Sequence, residues 1–207
     1  IEVAIQRFVF DRDGQIVEVE RPSAWLEDPQ RPLSTTITDL TGLHDGDLAG
    51  RKFDDDVIID SLREVDLIVA HNAAFDRPFM DRRFPSLRRA PWACSLSQLD
   101  WRKLGFDGRT LGHLLLQRGR FFDGHRATND TQALTTLLSA PAPDGRTILS
   151  HLLDRCEQGS VRFEAIGAPY EAKDALKARG YRWDAGRRFW LREVEVGDSV
   201  AEADWLR

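Results

Sequence analysis

The sequence predicts an α/β domain, a mixed sheet flanked by helices, followed by a small C-terminal α+β module. Three observations carry that prediction. A short apolar run, Asp66-Leu67-Ile68-Val69-Ala70, lies between two segments of helical period, as a strand buried on both faces does. The chain opens on a stretch, Ile1 to Phe10, rich in β-branched and aromatic side chains. Composition changes near Glu157-Gln158-Gly159-Ser160, which separates a main domain of residues 1–157 from a module of residues 160–207.

The elements follow in order. Ile1 to Phe10, the turn Asp11-Arg12-Asp13-Gly14 and the alternating stretch Gln15 to Glu20 read as a β-hairpin. Pro22, Pro29 and Pro32 then mark an irregular connection, and Thr38 to Leu43 a short helical turn or loop closed by Gly42. Asp54 to Glu64 is helical by period, with Asp54, Asp55 and Asp56 where the helix dipole favours carboxylates. The strand Asp66–Ala70 leads into a helix over Ala73 to Arg83, so Asp76 stands early in that helix. Trp92 to Leu104 and Arg109 to Gln117 have short helical patterns on either side of Gly105-Phe106-Asp107-Gly108. Ala127, Ala133, Leu134, Leu137 and Leu138 form one apolar stripe, which puts His125 at a helix entrance and Asp130 about one turn inside. Pro141 to Gly145 ends that helix, and Thr147 to Cys156 is a short amphipathic one. In the module, a strand over Val161 to Ile166, a helix over Glu171 to Arg179 and a strand around Phe189-Trp190-Leu191 are expected.

Composition excludes several classes. With 42% hydrophobic and 30% charged residues the chain reads as globular and cytoplasmic, and no apolar run approaches the roughly 18 residues of a membrane span. A net charge of −5 is not that of a protein that coats nucleic acid through a global positive field. It is compatible with a nuclease centred on carboxylates, because bound divalent cations reverse the sign the phosphate meets. Cys94 and Cys156 are too few and too unpatterned for a disulfide framework or a thiolate zinc site. Opening on Ile1 at the head of an apolar stretch, with no cap or turn before it, the chain reads as cut inside a domain.

Two segments carry chemistry: Val69-Ala70-His71-Asn72-Ala73-Ala74-Phe75-Asp76 and His125-Arg126-Ala127-Thr128-Asn129-Asp130. Hydrolysis of a phosphodiester needs a nucleophilic water, neutralised phosphoryl charge and a stabilised leaving alkoxide. Two divalent cations held by hard carboxylate oxygens supply these, and Asp76 and Asp130 are candidate ligands for two Mg²⁺ or Mn²⁺ ions. His125 is the candidate general base, since imidazole accepts a proton near neutral pH. Asn72 is a candidate to hydrogen-bond substrate or to cap the following helix. His71 and His113 read as structural, and Arg82, Arg83, Arg88 and Arg89 as a solvated face or a phosphate contact. Either segment alone is more often a helix cap or a local hydrogen-bonded pair than a site; their joint order makes the functional reading.

The first segment, continued through Phe79, resembles the second motif of the DnaQ-like, or DEDDh, 3′–5′ exonucleases, the family of the proofreading epsilon subunit of bacterial DNA polymerase III. His125-x-Ala127-x-x-Asp130 resembles the third motif, and Ile37 to Leu43 followed by Leu48-Ala49-Gly50 is similar to the segment linking the first two. The resemblance covers roughly residues 1 to 140. It implies a ribonuclease H-like fold and metal-dependent 3′–5′ removal of nucleotides from DNA, with a DNA polymerase as a partner to consider. The family's first motif, an Asp-x-Glu on the opening strand, is missing here. It belongs on a strand before Ile1-Glu2-Val3-Ala4-Ile5, and Glu2, in what resembles the second strand, is not assigned its role. The expectation is an N-terminal strand in the parent protein; the alternative is an inactive nucleic-acid-binding remnant of the same fold.

The tail interleaves aromatics with cations from Tyr170 to Arg192, as single-strand binders do, and resembles small modules attached to nucleic-acid enzymes. Trp183 and Trp190 serve equally well as the core of a domain this small.

Overall fold

The computed structural model describes residues 1–121 and 123–207. The chain divides into two compact units, Ile1–Leu153 and Asp154–Arg207. No helix among the described residues is long and apolar enough to cross a membrane.

The larger unit is mixed α/β. Its opening stretch is two strands, β1 (Glu2–Ile5) and β2 (Phe8–Phe10), where the sequence suggested one. The chain turns away at Gln6-Arg7, so that β2 forms the expected hairpin with β3 (Ile16–Val19). β1 instead pairs antiparallel with β4 (Ser23–Leu26), which lies inside the proline-marked connection read as irregular. Helix α1 (Thr35–Thr41) begins at Ser34, whose hydroxyl accepts the Ile37 N–H, and ends at Gly42 in the left-handed conformation. α2 (Asp45–Leu48) is a single turn, and α3 (Asp55–Arg63) starts at Asp54, whose carboxylate accepts the Val57 N–H.

β5 (Ile68–Ala70) is the expected strand, although its three residues are half-buried rather than buried on both faces, and α4 (Ala73–Arg83) follows it. β6 (Trp92–Cys94) corrects the helical reading of Trp92 to Leu104: these three residues pair parallel with β5, and the helix α5 (Ser95–Gln98) starts only after them. Three residues are too few for a period to show, and the helical pattern behind them dominates the window. α6 (Leu111–Leu116) and α7 (Ala127–Leu138) pack together, and α7 also packs on β1. Phe53, Ile58, Leu62, Met80, Phe84 and Leu87 form a buried core, against which Val3 and Ile5 of β1, Ile68 of β5 and Trp92 of β6 pack. Arg83 binds across this core's rim, donating to Asp55 at 2.7 Å and Glu27 at 3.2 Å.

α8 (Ile148–Gln158) carries Ile148, Leu149 and Leu152 fully buried. The hairpin turn between β2 and β3 lies directly on it. Gly14 has φ +74°, its carbonyl accepts the Thr147 hydroxyl at 2.7 Å, and a β-carbon there would stand 2.7 Å from the Ser150 α-carbon.

In the smaller unit, β7 (Ser160–Ala165), β8 (Arg182–Asp184) and β9 (Phe189–Glu195) form an antiparallel sheet of order β7-β9-β8. α9 (Lys173–Arg179) and α10 (Ser199–Leu206) supply Leu176 and Leu206 to a core with Tyr181, Trp190 and Phe163. Glu202 of α10 is buried and accepts from Tyr181 at 2.8 Å, from Arg192 at 2.6 Å and from Arg179 at 3.2 Å. Those partners hold its carboxyl below its ordinary range against the opposing cost of burial.

Gly14→Ala combines a disfavoured positive φ with a backbone clash against α8. It is expected to destabilise the larger unit by about 2–4 kcal/mol in urea unfolding. Gly145→Ala, also at positive φ but with open space around it, is expected to cost about 1 kcal/mol.

Candidate active site

The site is assembled where two helices begin. β5 delivers the chain to His71, a half-buried imidazole that bridges three segments. Its Nδ1 lies 2.9 Å from the hydroxyl of fully buried Ser95, and its Nε2 lies 2.9 Å from the Arg109 carbonyl. The Arg109 carbonyl can only accept, so Nε2 carries the proton and Nδ1 accepts from Ser95. Burial lowers the His71 pKa below its ordinary 6.5, opposed by the bond to Arg109, so the ring stays neutral in that tautomer. Trp101 Nε1 donates to the Ser95 carbonyl at 2.9 Å, fixing the other side of the hub.

Asn72 comes next, at φ 88°, in the left-handed region. That conformation turns the chain sharply from strand into helix, and asparagine tolerates it better than most side chains. Its side chain makes no capping bond, and Asn72 is exposed. Of the two roles open to it in the sequence, helix capping is therefore not used. Asp76 lies in the first turn of α4 and is partly buried, while neighbouring Phe75 is 78% exposed.

α7 begins in a similar way. His125 has φ 70°, and Asp130 lies in the first turn of the helix. The Asp130 carboxylate receives the backbone N–H of His125, and the two side chains interact electrostatically. The helix entrance is fixed from outside by Glu2 of β1, whose side chain is only 10% exposed. Glu2 accepts the Ala127 N–H at 3.0 Å and the Arg126 guanidinium at 3.1 Å. These bonds join β1 to α7, and they engage the Glu2 carboxylate in structure.

The two aspartates repel. Burial raises the pKa of Asp76, and the charge of Asp130 raises it further. Burial likewise raises Asp130, opposed by His125 and reinforced by Glu2. Two carboxylates held near each other at a cost are the donor chemistry that a divalent cation relieves, and in that respect the pair fits such an ion as two of its oxygen ligands. Among the described residues, no group of three or more His, Cys, Asp or Glu stands together so as to hold a metal ion. Two of the four arginines in the basic run of α4 and its following turn are engaged within the fold: Arg83 as above, and Arg88 through the Asp81 carbonyl. A cleft of about 400 Å³, lined by Arg120, Phe121, Asn129 and Gln132 among others, opens along α7 without including the aspartates.

The structure thus brings Asp76, Asp130 and His125 into one electrostatic neighbourhood, with Asn72 at the entrance of the same helix as Asp76. Sequence reasoning weighed Glu2 only for the first-motif role, which it did not assign, and missed its pairing with Arg126, 124 residues away, which carries no local signal. It read His71 as structural without a partner for it.

Among known proteins, the chain is 35% identical over 136 residues to the PolC-type DNA polymerase III of Bacillus subtilis (strain 168). The match takes in 61% of this chain and 9% of that protein, so the chain spans less than a tenth of the relative's length. No family model matches it. Among solved structures it is similar to exonuclease X in complex with 5′ overhanging duplex DNA, at 20% identity and a TM-score of 0.41, over 72% of this chain and 90% of that one.

The neutral His71 hub gives the larger unit a pH dependence of definite sign. Because the folded imidazole resists protonation, its stabilising contribution is full above about pH 6.5 and is lost as pH falls below that value. His71→Gln is expected to remove that share of the slope, read as the difference between the two proteins in urea unfolding at pH 7.5 and 5.5. His71→Ala, which leaves Ser95 and the Arg109 carbonyl without their partner, is expected to cost about 1–3 kcal/mol at pH 7.5.

Proposed function

We propose that this chain is the catalytic part of a metal-dependent 3′–5′ exonuclease acting on DNA, with a ribonuclease H-like fold. The observation that carries the reading is the mutually repelling pair Asp76 and Asp130 at the entrances of α4 and α7, with His125 beside Asp130. Asp76 and Asp130 would each give a carboxylate to divalent cations, Mg²⁺ or Mn²⁺. When bound, such ions supply charge neutralisation at the phosphoryl oxygens and at the leaving alkoxide.

His125 takes a proton from the attacking water as the new P–O bond forms. The bond from phosphorus to the 3′ oxygen of the preceding nucleotide breaks, and that oxygen leaves as a hydroxyl once protonated. The products are a nucleoside 5′-monophosphate and a strand one nucleotide shorter. His125 is exposed and held at the mouth of α7 by the bond between its own N–H and Asp130, so its ring stands where water has access. Asn72, exposed and without a capping bond, is free to hydrogen-bond the terminal nucleotide.

The sheet edges support the ribonuclease H-like arrangement. β1 pairs with β4 and β5 pairs with β6, while Val3, Ile5 and Ile68 pack on one core. The second reading, a nucleic-acid-binding relative without turnover, is favoured by the lack of a three-ligand group among the described residues.

Incubation of the full-length protein with 3′-labelled DNA and RNA, with and without Mn²⁺, separates the two readings. Mn²⁺-dependent release of mononucleotides from DNA supports the enzyme, and retention of intact strands with Mn²⁺ present supports the remnant. His125→Ala is expected to lower hydrolysis by about 10²–10⁴-fold while DNA binding survives, and full activity in that variant removes His125 from the mechanism. Asp76→Asn is expected to abolish the rise in melting temperature that millimolar Mn²⁺ gives the wild-type chain. It is also expected to stabilise the ion-free protein near neutral pH, by removing one of the two repelling carboxylates.

A further inference from the structure

The aromatic residues of the smaller unit are not all core. Trp190 is 9% exposed and lies in the cluster with Leu176 and Tyr181, whereas Trp183, directly opposite it across the β8–β9 ladder, is 50% exposed. The two indoles lie 5.5 Å apart at a tilt of 59°, so one face of Trp183 rests on the core and much of the ring is left to solvent. β8 is an outer strand of the sheet. Half of this indole, on an outer strand, is thus left open to another molecule.

The cations around it are distributed unevenly. Arg179 and Arg192 are taken by Glu202, Arg162 by Glu164 and Glu193, and Arg207 by Asp204. Among the described residues, Arg182, Arg187 and Arg188 pair with no carboxylate, and all three are exposed. Arg182 projects from the opposite face of the same strand, one residue from Trp183. Arg187 and Arg188 form the end of the tight connection from β8 to β9. That connection is ordered by Asp184, whose carbonyl accepts the Arg188 N–H at 2.7 Å and whose carboxylate accepts the Arg187 N–H at 2.9 Å. Arg188 closes that connection at φ 60°.

We propose that the β8 edge and the β8–β9 turn form a binding site for single-stranded DNA, in which a base stacks on Trp183 and Arg187 and Arg188 meet the adjoining phosphates. A half-exposed ring braced from behind offers a rigid face to any base, and unpaired guanidiniums a step away track the backbone without reading sequence. Duplex DNA, with its bases stacked internally, presents phosphates but no face for the indole. The proposal stands on the smaller unit alone and does not depend on hydrolysis by the larger one.

The test is fluorescence anisotropy of the full 207-residue chain with labelled dT20, a 20-base-pair duplex and rU20, in EDTA so that divalent-ion chemistry is silent. The expected result is that dT20 binds more tightly than the duplex or rU20. Trp183→Ala is expected to weaken dT20 binding about tenfold or more, while Trp183→Phe stays within about threefold of wild type. The Arg187→Gln/Arg188→Gln double variant is expected to reduce the slope of log K against log salt by about 1.4. Circular dichroism checks the fold of each variant, and the arginine variant decides alone if Trp183→Ala unfolds. Equal binding of duplex and dT20, or an unchanged salt slope in the arginine variant, overturns the proposal. Tighter binding of rU20 than dT20 overturns its assignment to DNA.

Discussion

Glu2 joins the first strand to the entrance of α7, and the candidate site depends on that junction more than on any other contact. A helix start leaves backbone N–H groups without partners, and here one of them, on Ala127, is satisfied by a carboxylate from a strand 125 residues away in sequence. The same carboxylate holds the Arg126 guanidinium, so the residue between His125 and Ala127 is pinned on both sides. With the first turn of α7 fixed against β1, Asp130 has one place to stand, and the His125 N–H that it accepts completes the turn. Removing the Glu2 carboxylate would free the turn that sets both residues.

The site is held at an energetic cost that the surrounding structure offsets. Burial raises both aspartates, the charge of Asp130 raises Asp76 further, and two non-glycine residues, Asn72 and His125, occupy the left-handed region at the two helix entrances. Strained backbone of this kind persists where the flanking structure over-determines it. On the α4 side that role falls to His71, whose two ring nitrogens tie the end of β5 to Ser95 and to the Arg109 carbonyl. On the α7 side it falls to Glu2. Each strained residue is therefore adjacent to, or one residue from, a side chain locked in two or more hydrogen bonds.

These dependencies explain what the sequence made legible. α7 could be read closely because its apolar stripe is long enough to show its period, and in α4 and α7 alike the carboxylates carrying chemistry fall in the first turn. β6 and β8 span three residues each, too short for a period to appear, and they exist because a long-range partner completes them. β4 was hidden by prolines on both sides and by a partner at the other end of the connection. α10 has apolar residues at Val200, Ala201, Ala203, Trp205 and Leu206, which define no single stripe; its place is set by Glu202. Asp76, Asp130 and His125 were visible as motifs, while Glu2, Arg126 and the partners of His71 were not, since a pairing across 124 residues leaves no local trace.

The smaller unit follows a related rule at smaller scale. About 50 residues bury too little apolar surface for an ordinary core, so a buried polar network takes part of that role. Glu202 joins α10 to Arg179 at the end of α9, to Arg192 on β9 and to Tyr181 before β8, and burial with the adjacent carboxylate drives the Tyr181 hydroxyl to stay protonated as its donor. A charge network of this kind fixes which cations are structural. Arg179 and Arg192 are consumed by the fold, and the exposed cations left beside Trp183 have no structural duty to account for them. The division between paired and unpaired arginines therefore separates the part of this unit that makes it fold from the part available to meet another molecule.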